Sequence, residues 1–192
     1  MDPTERRELI LTAASRAFAS RPYEEVSLAA IADEAHASEA LVHTYFVSKA
    51  GIYAQVLQRA TDELAERTRQ TDDALPPDSS ARDRVRASIL TYLDFIAERS
   101  PGWMAYQILA GHEPGEAAQV RQAAREAAVA ALSDVVGGGR GHRDDFAFWG
   151  YLGFLDDACL RWVRAGCPAE QRHSLVDAAL GCLEGALGDW RA

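Results

Sequence analysis

The chain is predicted to be all-α, and three observations carry this. Nearly half of its 192 residues are apolar (48%), with alanine abundant among them. β-Branched runs are few, period-2 alternation is missing, and apolar residues recur at three- and four-residue spacing. A chain of this length can bury a sizeable core, and its punctuation suggests about nine helices. No apolar run approaches the ~20 residues that span a bilayer, and the charged N-terminus has no apolar segment behind it. A cytoplasmic protein with no membrane partner is therefore expected. Cys159, Cys167 and Cys182 lack CxxC spacing and sit in apolar helical contexts, so they read as reduced thiols.

The first helix starts at Asp2-Pro3-Thr4-Glu5: an N-cap acid, proline at the first position, and a glutamate to close a capping box. Leu9, Ile10, Ala13, Ala14, Ala17 and Phe18 form its buried stripe, and Pro22 ends it. Then one pattern is used three times. Val26-Ser27…Ile31, Ala37-Ser38…Val42 and Val47-Ser48…Ile52 each read as an N-cap serine inside a hydrophobic staple. The serines are eleven and ten residues apart, so two very short helices precede a third that is free to run on. Spacing alone leaves two readings open, a helix-turn-helix or an ordinary small bundle.

The helix launched at Ser48 carries Ile52, Val56, Leu57, Ala60 and Leu64 on one face and stops at the loop 72–79. A fifth helix with Val85, Ile89, Tyr92, Leu93 and Ile96 ends before Pro101, and an aromatic sixth runs from Trp103 to Leu109. After His112-Glu113-Pro114-Gly115 an alanine-rich seventh continues to Gly137–Gly141. The last two span about 143–165 and 168–189 and hold five interior glycines. Each costs ~1 kcal/mol relative to alanine, which close approach of another helix would explain, within this chain or from a second copy.

Net charge is −9, and residues 1–60 carry six basic against eight acidic side chains. Any nucleic-acid contact must come from local placement of charge. Lys49 is the sole lysine beside nineteen arginines. Enzyme readings find no support: there is no GxSxG, HExxH or GxGxxG, and the lone lysine has no upstream glycines to make a phosphate loop. The five histidines are scattered, so neither a metal nor a cofactor is expected.

Residues 24–57 resemble the DNA-binding signature of the TetR family of transcriptional regulators. Val26-Ser27 is similar to its Thr/Val start of helix 2, Ile31-Ala32-Asp33-Glu34-Ala35 to its I-A-x-x-A core, and Tyr45-Phe46-Val47-Ser48-Lys49 to its Y-F-x-S-K. Leu160…Trp162…Gly166-Cys167-Pro168 resembles the link before that family's last helix. The departures are His36-Ala37 where the family has Gly-Val, Ala40 for Gly, and His43 for Tyr. A non-glycine residue in that turn meets the cost of positive φ, though histidine tolerates it better than most.

The resemblance implies a three-helix helix-turn-helix DNA-binding domain over 1–50 and a larger helical ligand-binding and dimerisation domain over 51–192. It implies a homodimeric, ligand-responsive regulator, most simply a repressor, on a palindromic operator. The alternative is a helical ligand- or partner-binding dimer that has lost specific DNA binding, motivated by the acidic head and altered turn. Expected DNA contacts are Ser27, Ser38, Glu39, Ala40, Leu41, His43 and Thr44, with Tyr45 and Lys49 on phosphates; Val42 and Phe46 should face inward. Tyr92, Phe95, Trp103, Met104, Tyr106, Phe146, Trp149 and Phe154 supply aromatic and apolar surface for a small-molecule effector or for the core, with Gln107 and Asp157 as polar groups. Gly153, Leu160, Leu180, Leu183 and Leu187 are expected at the dimer interface.

Overall fold

The computed structural model describes residues 2–137 and 141–188. Among them are nine α-helices and no strand: α1 Pro3–Ser20, α2 Leu28–Glu34, α3 Glu39–Tyr45, α4 Lys49–Asp73, α5 Ala81–Glu98, α6 Ser100–Ile108, α7 Gly115–Val136, α8 His142–Arg164 and α9 Arg172–Leu187. No helix among the described residues is long and apolar enough to cross a membrane. α6 starts before Trp103 because Pro101 occupies its first turn, where a missing N–H is harmless. α9 starts later than 168 because residues 169–171 form a 3-10 turn. Its expected end at 189, and residues 138–140 of the glycine-rich terminator, lie outside the described residues.

Two compact units result: Met1–Asp62 with Arg99–Gln122, and Glu63–Glu98 with Ala123–Ala192. The division differs from the expected boundary after residue 50, since α6 and the start of α7 group with the N-terminal helices.

In the first unit, the Asp2 N–H donates to Glu5 Oε2 at 3.3 Å and the Thr4 N–H to Asp2 Oδ2 at 3.2 Å, which anchors α1. Ile10, Ala14, Ala17 and Phe18 of α1 bury against Val26, Ile31, Val42, Phe46, Ile52 and Tyr53. Ala117 of α7 completes this core, with Tyr106 and Leu109 packed on it. α6 meets the end of α1 backbone to backbone: a Cβ on Gly102 would lie 2.7 Å from Ala19 Cα and 2.8 Å from the Phe18 carbonyl oxygen, so only glycine fits.

Beside this contact, Arg121 of α7 is locked in place. Its Nε donates to Glu113 Oε1 at 2.5 Å, its Nη2 to the Tyr106 carbonyl at 2.6 Å, and its guanidinium lies 3.6 Å from the Tyr106 ring centroid. The two side chains are 12% and 2% exposed, and Glu113 Oε2 is buried with no hydrogen-bond partner among the described residues. Burial pushes the Glu113 carboxyl up, but its own backbone N–H and the Arg121 guanidinium outweigh this and hold it below the ordinary range.

In the second unit, Val85, Ile89, Leu93 and Ile96 of α5, Phe148, Tyr151, Leu155, Cys159 and Trp162 of α8, and Val176, Ala179, Leu180 and Leu183 of α9 are buried. The α8–α9 link has Gly166 at φ 85 and Cys167 at φ 55. The Cys167 N–H donates to the Trp162 carbonyl at 3.1 Å, and Trp162 Nε1 donates to the Pro168 carbonyl at 3.0 Å. Arg82–Glu184, Arg86–Asp177 and Arg172–Asp94 pair α5 with α9 at 2.7, 2.9 and 2.6 Å.

Removing one partner of the buried pair strands the other. Arg121→Leu is expected to lower stability by about 3 kcal/mol in urea unfolding, and Arg121→Leu with Glu113→Leu to recover most of it. Because Glu113 titrates below its unfolded value, the contribution is complete at neutral pH and is lost as pH falls through the folded pKa.

Candidate nucleic-acid interface

Two of the three staples form as the spacing predicts. The Ala30 N–H donates to Ser27 Oγ at 3.1 Å and the Leu41 N–H to Ser38 Oγ at 3.2 Å. Val26 and Ile31 are buried around the first cap; Val42 is buried behind the second, with Ala37 packed on the core. The third differs. The Gly51 N–H donates to Ser48 Oγ at 3.0 Å, so the cap is present, but Val47 is 97% exposed and packs on nothing. Phe46 leaves α3 in an extended conformation and turns in, while Val47 at the following bend is turned outward.

The altered turn survives. The Ala37 N–H donates to the Ala32 carbonyl at 2.9 Å and the His36 N–H to the Asp33 carbonyl at 3.1 Å, a Schellman motif closing α2. His36 takes the left-handed position usually given to glycine, at φ 50.

α3 therefore has distinct buried and exposed sides. Val42 and Phe46 are buried, while Ser38, Glu39, Ala40, His43 and Thr44 are exposed and Leu41 and Tyr45 half-buried. Tyr45 leans on the core. His43 Nε2 lies 4.0 Å from Glu39 Oε1, and Thr44 Oγ1 donates to the Ala40 carbonyl at 3.1 Å, so both base-reading candidates are held in their own helix. Ser27 is exposed at the start of α2.

Lys49 is placed differently from the expectation. Its Nζ donates to the Tyr23 carbonyl at 2.8 Å and the Val26 carbonyl at 3.0 Å, and lies 4.0 Å from the Tyr23 ring centroid. Tyr23 in turn packs against Tyr53 and Phe18 at centroid distances of 4.9 and 6.0 Å. Two of the arginines in this head are also paired: Arg59 with Glu8, while Arg7 reaches both Glu8 and Gln55.

The expected effector and dimer residues are spread over both units and differ in exposure. Trp103, Met104, Tyr106 and Gln107 belong to the first unit, and Tyr92, Phe95, Phe146, Trp149, Phe154 and Asp157 to the second, so no single unit brings them together. Phe95 and Trp103 are buried core, Phe146 is 76% exposed, and Asp157 faces solvent. The carboxylate that turns inward is Asp156, which pairs with Arg125 and accepts from Tyr92 Oη at 3.4 Å. Arg125 also lies 5.9 Å from the Trp149 ring. A cleft of about 340 Å³ between α7 and α8 is lined by Val129, Ala130, Phe148, Trp149, Glu126 and Asp145, among others. Leu180 and Leu183 are fully buried by their own chain and have no surface to offer a partner, while Leu160 and Leu187 are half-buried. Added Cβ atoms at Gly150, Gly153, Gly181 and Gly185 would meet nothing within 4 Å.

The sequence pattern described as "Bacterial regulatory proteins, tetR family" matches residues 10–56. The HTH-type transcriptional activator FasR of Mycolicibacterium smegmatis is 33% identical over 171 residues, covering 87% of this chain and 76% of that protein. Among solved structures, a tetR-family transcriptional regulator from Streptomyces coelicolor superposes with TM-score 0.81 at 23% identity, over 98% of this chain and 91% of its own. FadR from Bacillus subtilis, in complex with stearoyl-CoA, gives 0.71 at 16% identity over 94% and 97%.

The turn makes one direct prediction. His36→Gly is expected to raise stability by about 0.5–1 kcal/mol, and His36→Val, β-branched at positive φ, to lower it by about 1–2 kcal/mol, both read by urea unfolding.

Proposed function

This chain belongs to the tetR family of bacterial regulatory proteins and is a DNA-binding transcriptional regulator; on that premise we propose that it is a homodimeric, ligand-released repressor. The observation that carries the reading is the face of α3, where Glu39, Ala40, His43 and Thr44 stand exposed while Val42 and Phe46 hold the helix from behind. Glu39 accepts from a cytosine amino group, and His43 and Thr44 bond base edges in the major groove. Ser38 and Tyr45 take phosphates, Ser38 through the N–H groups its cap leaves exposed. Two such helices read half-sites about 34–36 Å apart on a palindrome.

Dimerisation through α8 and α9 is supported by the open glycines. A Cβ at Gly150, Gly153, Gly181 or Gly185 would meet nothing within 4 Å among the described residues, and small residues let a second pair of helices approach closely. The effector is a small, largely apolar or aromatic molecule. Trp149, Phe148 and the α7 aliphatics supply its apolar wall, with Asp156–Arg125 as polar partners alongside. Binding releases DNA if the ligand prefers a conformer in which the two reading helices no longer match the half-site spacing. Repression is the simplest mode for a protein that only occupies DNA. FasR is named an activator, so a reporter carrying the selected operator decides the sign.

The test is selection of genomic fragments by the wild-type protein. A palindromic operator should emerge, and His43→Ala and Thr44→Ala should each cost about 1–3 kcal/mol on it. Recovery of no preferred sequence would favour the binding-only alternative, which the acidic residues around α3 already motivate. With Arg7 and Arg59 tied to Glu8, few phosphates are neutralised. The slope of log K against log salt is expected to be shallow, of magnitude below about 4 per dimer. Effector screening by thermal shift should include long-chain acyl-CoA, the ligand class bound by the Bacillus subtilis FadR.

A further inference from the structure

We infer that Lys49 is a positioning residue for DNA reading, one that fixes the start of α2 onto the first turn of α4 and thereby sets the angle at which α3 is presented. The inference rests on the reading of α3 as the recognition helix.

An ammonium has three N–H donors. Two of them go to the Tyr23 and Val26 carbonyls at 2.8 and 3.0 Å, and the charge sits over the Tyr23 ring at 4.0 Å. All three partners lie on the single segment joining α1 to α2, more than twenty residues away in sequence. Apart from Lys49, the Tyr23 carbonyl accepts the Val26 N–H at 3.3 Å, and the Val26 carbonyl precedes the α2 cap. Lys49 satisfies both. It is also the first residue of α4, where the helix dipole disfavours a cation. Two carbonyls and a ring face offset that disfavour without any phosphate.

The tie reaches α3 through a short, stiff path. Ser27, the α2 cap, follows Val26 directly; Val26 is stapled to Ile31; and the Ala32–Ala37 hydrogen bond closes the turn before Ser38. Nothing in that path is long enough to absorb a shift. Loss of the Lys49 tie should therefore tilt the base-reading face while leaving phosphate contacts largely in place.

Two variants of the full chain test this, Lys49→Ala and Lys49→Met; methionine keeps an apolar stem on Tyr23 and protects the fold. The first measurement is hydrogen exchange on the DNA-free protein. Amides of Glu25 and Val26, which donate to Pro22 and Tyr23, should exchange about tenfold faster in both variants. The second is affinity for the selected operator and for random DNA across a salt series, with both variants confirmed folded. The operator-to-random ratio should fall about tenfold with the salt slope unchanged, a response that mere loss of stability would not give. Equal weakening on both DNAs, a slope reduced by about 1.8 per dimer (one phosphate for each of two copies of Lys49), and unchanged exchange would make Lys49 a phosphate ligand and overturn the inference. If the wild type selects no operator, the DNA-reading proposal fails by itself, and the exchange experiment still decides whether Lys49 holds the α2 start.

Discussion

Seven residues make barely two turns of helix, and α2 and α3 have seven each. Helices this short are not stable alone in water, because nucleation cost is spread over too few hydrogen bonds. Everything that places the reading face must therefore come from outside the helices. Each serine cap satisfies one first-turn N–H, the Schellman turn pairs carbonyls in the last turn of α2, and Ile31 and Val42 anchor each helix to one core. Remove any of these and the exposed row from Glu39 to Thr44 has no fixed direction. The constraint also explains why a left-handed histidine is kept: its strain is small beside the order the turn supplies.

Much of the head was legible in the sequence because its determinants are local. A cap, a staple and a turn are settled within six residues, so Ser27, Ser38, Ser48 and the inward Val42 and Phe46 could be read directly. Val47 could not. The pattern matched, but whether its side chain finds a partner depends on how the chain leaves α3. The Lys49 contacts were not legible for a longer-range reason: its partners at Tyr23 and Val26 are brought to it only by the tertiary fold. Asp156 and Asp157 are adjacent on a helix rich in aromatics, where apolar spacing marks no single face; packing alone chose Asp156. Leucines looked like interface residues, yet Leu180 and Leu183 fill the space between α5, α8 and α9, leaving the glycines outward.

An acidic protein meets a polyanion here with little spare cationic charge. Glu8 neutralises Arg59 and draws on Arg7, Glu113 holds Arg121, and two carbonyls hold Lys49. Much of the positive charge in this head is spent on its own fold. On the proposed reading, discrimination falls on hydrogen bonds and steric fit at base edges, which are less sensitive to salt than phosphate contacts.

The division of the chain carries a practical meaning for anyone recombining such regulators. Residues 99–122 belong with the N-terminal helices: Gly102 touches the backbone of α1, and Ala117 sits in the same core as Ile10 and Val42. A chimera that joins this reading head to a relative's remaining helices at residue 50 would import a foreign α6 against α1, where any side chain larger than hydrogen at the Gly102 position collides. A working graft has to move two separated stretches of sequence together. Natural exchange of operator preference between paralogues would meet the same barrier, and substitution along the face of α3 is the easier route to a new target.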